Sequence, residues 1–235
     1  MTKNIINTAL VILGSGALLT GCDFDQPETE CFVQGSQNWA VKYEQVTAPT
    51  NQAGESCELD VPRAELLGVY KYVDPETGIS QLALRPDTLA AYAEEDEASE
   101  STDQTALGQL GEQDEQDFCT ATNFNEAFVN DVETGNVIRY AFSNVSVYSA
   151  AVAPGTQITG EFTYTSNGCT GTYVMSGLWP ATECHTNAQD PADACGEGSG
   201  MNPELAVECH ALNPDDEEDP TYGFCVPAKT VPSFK

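Results

Sequence analysis

The chain has 235 residues, with 8 Lys and Arg against 37 Asp and Glu and a formal net charge of −29 at pH 7. The few basic residues are also unevenly placed, since none lies between Arg85 and Arg139 or between Arg139 and Lys229. Such a surface repels phosphate backbones and anionic headgroups, which excludes nucleic acid as a partner. The contacts left open are with cationic proteins or divalent cations.

The first segment carries positive charge at Lys3 and the amino terminus, then an apolar stretch from Ile5 to Leu19 interrupted by Asn7 and Thr8. That stretch is shorter than the roughly 20 apolar residues a helix needs to cross a ~30 Å hydrocarbon core. A charged start, a short apolar centre and small residues at the end are the layout of an export signal. The segment ends in Leu19-Thr20-Gly21-Cys22, which resembles the lipobox of bacterial prolipoproteins. The resemblance implies a signal peptide over 1–21, cleavage before Cys22, a diacylglyceryl group on the Cys22 sulfur and further acylation, for example by palmitate, of the exposed amino group. One acyl chain binds a membrane marginally and two hold it stably, at about 0.8 kcal/mol per buried methylene. The expected location is the bacterial cell envelope, anchored through Cys22 and facing the periplasm or the exterior, with the outer membrane favoured over the inner.

Residues 22–30, polar and acidic, form the expected flexible tether. From Cys31 to Arg85 the pattern suits strands and turns: Cys31-Phe32-Val33, Trp39 to Tyr43, and Leu67 to Val73, which meets Asp74-Pro75-Glu76-Thr77-Gly78 and returns as Ile79 to Leu84. A turn-forming cluster between two apolar runs is a hairpin signal. Pro86 to Ala98 is the helix candidate, with Pro at the start and Leu89 to Ala93 inside. Residues 94–117 carry no basic and few apolar residues, and are expected to stay flexible because too little surface is available to offset ordering entropy.

The next part, 118–183, repeats the Asp-x-Glu-Thr-Gly turn at Asp131, between Ala127-Phe128-Val129 and Val137 to Phe142. Further on, Asn167-Gly168 separates two alternating runs and suits a two-residue type I′ turn. That turn places Phe162 opposite Tyr173 and puts Ile158, Phe162, Tyr164, Tyr173 and Met175 on one face, with threonines on the other. One buried and one wet face is the signature of an antiparallel sheet. The predicted fold is therefore mainly β, an antiparallel sandwich or open barrel with one short helix, an acidic flexible loop and a disulfide-stapled irregular C-terminal lobe over 184–235. Residues 31–235 are expected to form one compact domain.

With Cys22 committed to lipid, eight cysteines remain as disulfide candidates: Cys31, Cys57, Cys119, Cys169, Cys184, Cys195, Cys209 and Cys225. An even number in an exported chain implies disulfides. Sequence does not choose among the pairings, although closure of the acidic loop by Cys209 with Cys225 is favoured. The strand-rich, cysteine-bearing body and the Pro-Ser-Phe-Lys end are similar to uncharacterised lipoproteins of gliding bacteria, a likeness that implies no activity.

No constellation of residues specifies a reaction. His185 and His210 each follow a cysteine, but wide cysteine spacing and an oxidising compartment favour disulfides over a metal site. The run Asp215-Asp216-Glu217-Glu218-Asp219 lacks the spacing of a calcium loop and reads as a solvated turn. No G-x-S-x-G or phosphate loop occurs, and Trp39, Tyr43 and Trp179, which could stack on sugars, read as core. No catalytic residue, metal or cofactor is assigned. The expected role is non-catalytic, whether structural, adhesive or interactive. A calcium or cationic-ligand module and an envelope hydrolase stay open as alternatives.

Overall fold

The structure, a computed structural model, describes residues 31–235 apart from Glu95, Glu97 and Thr134. The expected signal peptide, Cys22 and the expected tether lie outside the described residues. In chain order the elements are β1 (Ser36–Asn51), β2 (Ala64–Val73), β3 (Ser80–Pro86), α1 (Asp87–Ala93), β4 (Ala106–Gln113), β5 (Phe118–Thr122), β6 (Ala127–Asp131), β7 (Asn136–Tyr148), β8 (Gln157–Ser166) and β9 (Cys169–Leu178). Three short strands follow, β10 (Glu183–His185), β11 (Val207–Ala211) and β12 (Tyr222–Pro227). The mainly antiparallel β fold expected from the alternating pattern is the one observed.

Of the two expected forms, sandwich or open barrel, the sheet follows the barrel, with its two ends joined. It runs β5-β4-β3-β2-β1-β9-β8-β7-β6, and β5 also pairs with β7. The pairing sets Phe118 against Tyr148 and Ala121 against Val145, and closes the sheet into a barrel. Strands β5 and β6 lie end to end along one edge of β7, β6 against Asn136 to Tyr140 and β5 against Val145 to Tyr148. They act as one interrupted strand, with Asn123 in the gap and Asn144 in the facing part of β7 both at positive φ.

Alternation decides what fills the barrel. Trp39, Val41, Leu67, Val69, Leu84, Tyr140, Phe142, Ile158, Phe162 and Met175 all belong to one buried cluster. Outward positions are polar along β8, at Thr159, Glu161 and Thr163, with a few exposed apolar and aromatic side chains elsewhere, such as Val46, Tyr70 and Tyr72. This is the reverse of a membrane-spanning barrel, whose outer face is apolar, and no helix among the described residues is long and apolar enough to cross a bilayer. The β8–β9 hairpin follows its sequence: Ser166 pairs with Cys169, Phe162 with Tyr173, and both Asn167 and Gly168 have positive φ, as a type I′ turn demands.

Each end of the barrel is covered. At one end α1 follows β3 directly and buries Leu89, shorter than the expected Pro86 to Ala98. At the other, residues 31–35 cross the mouth without forming the expected strand, Cys31 and Val33 turned inward. Lys71 closes this mouth by donating to the Cys31 carbonyl at 2.6 Å.

The expected flexible loop over 94–117 is corrected. Its second half is β4, with Ala106, Gly108 and Leu110 turned inward, and its first half covers β6. The Phe128 amide donates to the Asp103 carbonyl at 2.8 Å, and Asn130 Nδ2 to Asp96 Oδ2 at 3.0 Å. Composition misled because the inward residues are small; their period of two, with backbone pairing on both sides, orders the strand.

The C-terminal lobe holds a small sheet, β10-β12-β11, laid on the outer face of β1. Ala40 packs against Phe224 and Val226 there, and Lys42 reaches Glu208 at 2.9 Å. All eight cysteines pair, as Cys31–Cys119, Cys57–Cys169, Cys184–Cys209 and Cys195–Cys225. The favoured closure of Cys209 with Cys225 is therefore corrected. The two are opposite one another across β11 and β12, but each bonds outward, to Cys184 of β10 and to Cys195 at the end of the 3-10 turn Ala192–Ala194, so the bridges tie four segments instead of one loop.

Candidate functional site

The most unusual side chain in the barrel is Glu65. Its neighbours two and four places on, Leu67 and Val69, are wholly buried on the same face of β2, and Glu65 itself is 6% exposed. No cation meets it among the described residues. Instead, Tyr43 donates to its Oε1 at 2.7 Å and Tyr140 at 2.9 Å, while the Thr88 amide, at the start of α1, donates to Oε2 at 2.9 Å. Burial pushes the carboxyl above its ordinary range, and the hydrogen bonds from Thr88, Tyr43 and Tyr140 oppose that only in part. The same burial, with the Glu65 charge nearby, raises the Tyr43 and Tyr140 hydroxyls well above theirs. A carboxylate with its lone pairs so occupied ties strands and helix together.

Above this network a cleft of ≈ 460 Å³ opens between the helix-capped barrel end and the C-terminal lobe. Asp60 and Arg63 line it from the segment before β2, Thr88 and Tyr92 from α1, Tyr164 from β8 and Asp215 from the lobe. Burial, together with Glu65, raises the Tyr164 hydroxyl far from its ordinary value. Arg63 makes no side-chain hydrogen bond or ion pair among the described residues, whereas Lys42 pairs with Glu44 and Glu208, and Arg139 with Glu126. None of Glu65, Arg63 or Tyr140 was singled out from the sequence. The available signal was Glu65 itself, a charge in phase with Leu67 and Val69.

The residues that were singled out fall elsewhere. The Sγ atoms of Cys184, Cys195 and Cys209 lie within 4.8 Å of one another, but as members of two adjacent disulfides they present no thiolate to a metal. His185 Nδ1 lies 3.3 Å from Thr221 Oγ1 and 3.6 Å from Asp219 Oδ2. In a nucleophile relay the carboxylate holds one ring nitrogen and the hydroxyl engages the other. Here both face Nδ1, and Thr221 donates its proton to Asp219 at 2.8 Å. Burial, then Lys42, lowers the His210 pKa. In the acidic run, Asp216 accepts from the amides of Glu218 and Asp219 and Asp219 from those of Thr221 and Tyr222, so both carboxylates shape their own turn. Trp39 is fully buried and donates to the Gln34 carbonyl at 2.9 Å; Trp179 packs against the core.

Fold and cleft together define a disulfide-stapled antiparallel β-barrel protein with a capped, polar end. The chain belongs to the MlpA family, whose pattern matches residues 37–180. It is 56% identical over 240 residues to the Myxococcus xanthus protein named "Putative lipoprotein MlpA", with both chains covered in full. That agrees with the likeness to lipoproteins of gliding bacteria. No solved structure matches the chain.

Proposed function

We propose that the protein is exported, cut before Cys22 and held to the bacterial cell envelope by lipid on that residue, where its barrel serves a non-catalytic structural, adhesive or interactive role. The observation that carries the anchor is the full-length likeness to a protein named as a lipoprotein, joined to Leu19-Thr20-Gly21-Cys22 at the start of this chain. Four disulfides fit an oxidising compartment outside the cytoplasm. The non-catalytic role is supported by the use of Glu65 and its tyrosines in holding the barrel together. Intact mass of the membrane-extracted protein, before and after reduction, tests the anchor: a chain starting at Cys22 with acyl mass added supports it, and an unmodified mature chain overturns it.

A second reading, a binding module for calcium or a cationic ligand, draws support from Asp60 and Asp215 in the walls of the end cleft. Calorimetry of the purified protein with calcium tests it, and the absence of any binding heat removes calcium from consideration.

A further inference from the structure

Resting on the anchor reading above, we propose that the barrel end crossed by residues 31–35 lies against the lipid surface, through a patch formed by Phe32, Ala151, Val152 and Pro154 and flanked by Lys229 and Lys235. Three observations converge on this end.

The first is the chain itself. Cys31 closes this mouth, bonded to Cys119 of β5, and stands nine positions after Cys22. Nine residues span at most about 30 Å when fully extended, so the mouth cannot move farther than that from an acyl group on Cys22. A tether this short holds the mouth at a high effective concentration beside the bilayer, where a contact too weak to act alone becomes populated.

The second is the apolar surface. Cys31 and Val33 turn into the barrel while Phe32, between them, is 48% exposed. Its backbone is fixed to the β7–β8 loop, the Phe32 amide donating to Ser149 Oγ at 2.7 Å and Ser149 Oγ in turn to the Phe32 carbonyl at 3.1 Å. That loop reads Ser149-Ala150-Ala151-Val152-Ala153-Pro154-Gly155-Thr156, eight residues without a charge in a chain of net charge −29. Ala150 and Ala153 are buried beneath it, whereas Val152 is 55% exposed. An outward aromatic ring beside an uncharged aliphatic loop suits the boundary between headgroups and acyl chains.

The third is charge. The end of the chain packs under the same loop, Val231 and Phe234 joining Tyr148, Ala150 and Ala153 in one cluster. This brings exposed Lys229 and Lys235 to the patch, two of the seven basic residues that follow Cys22. The acids of this end are Asp74 and Glu76 on the β2–β3 turn, Asp114, Glu115 and Asp117 on the β4–β5 turn, and Glu204; of these, Asp117 and Glu204 stand beside the patch, their carbonyls accepting from the Ser149 and Lys235 amides at 2.8 and 3.0 Å. The barrel therefore sets the uncharged Phe32 side down and tilts the β2–β3 turn, with Asp74 and Glu76, away from the membrane.

Tryptophan depth measurement tests the orientation. The full lipidated chain carrying Val152→Trp, and separately Val132→Trp in the β6–β7 turn at the opposite end, is reconstituted in phosphatidylcholine vesicles with brominated acyl chains, and the unsubstituted protein's emission is subtracted. The expected result is a blue shift and loss of most of the added emission for Val152→Trp, with Val132→Trp unchanged. Phe32→Trp gives a second reporter on the same patch. Vesicle flotation separates the two readings: protein that floats while Val152→Trp and Phe32→Trp stay unquenched overturns the orientation alone, and protein that fails to float overturns the anchor and the orientation with it.

Discussion

Tyr140 and Glu65, 75 positions apart in the chain, meet inside the barrel, the tyrosyl hydroxyl donating to the carboxylate at 2.9 Å. With Tyr43 on the same oxygen and the Thr88 amide on the other, this carboxylate joins β1, β2, β7 and the start of α1. Removing it leaves two buried tyrosine hydroxyls and the half-buried Thr88 amide without this acceptor. Glu65→Ala is expected to cost roughly 3–5 kcal/mol. Glu65→Gln, which sets an amide N–H2 against a donor, is expected to cost about 1–3 kcal/mol. Urea unfolding midpoints of the two variants and the parent protein check both values.

The same carboxyl gives a pH dependence of defined sign. Burial holds its folded value above the ordinary 4.5, so on raising the pH the unfolded chain releases this proton before the folded chain does. Its stabilising contribution is complete below that ordinary value and is lost as the pH rises through the folded one. Glu65→Gln should therefore flatten the fall in unfolding free energy above about pH 4.5. Equal slopes for parent and variant across that interval would contradict the assignment.

The bridge between Cys57 and Cys169 spans 112 positions and fastens the segment before β2 to the start of β9. Closing so long a loop restricts the unfolded chain strongly, and the double replacement Cys57→Ser with Cys169→Ser should lower stability by about 2–5 kcal/mol. Peptide mapping without reduction should recover the four observed pairs and no Cys209–Cys225 product.

Gly155 has φ +60°, and a Cβ there would meet the Phe32 carbonyl. Its own carbonyl accepts from the Gln34 amide at 3.1 Å, so loop and mouth segment share this contact. Gly155→Ala is expected to cost about 1–3 kcal/mol through strain and displacement, read as a lowered thermal midpoint, and to loosen residues 31–34, read as faster amide hydrogen exchange at Phe32.

What was legible in the chain was whatever repeats locally. The Asn167-Gly168 turn, the facing of Phe162 and Tyr173 and the apolar side of β8 and β9 follow from period and turn chemistry, as do the hairpins at Asp74 and Asp131. What escaped depends on distant segments. Ring closure needs Ala121 to find Val145, β4 needs neighbours on both sides to order small residues, and the disulfides join positions as far apart as Cys57 and Cys169. The Glu65 network escaped for the same reason, since its acceptors and donors come from four elements that become neighbours only when the sheet closes.

The interrupted strand made by β5 and β6 carries a consequence for crowding. A chain held on a membrane meets its copies in two dimensions, at concentrations where an exposed strand margin would recruit another molecule. In this barrel β4 and β7 occupy both margins of β5, and the Asp103 carbonyl takes up the Phe128 amide on the outer side of β6. Copies can thus be packed side by side without β5 or β6 zipping to a neighbour, and association along this wall of the barrel is left to side chains, in a chain where 37 acidic residues set the sign.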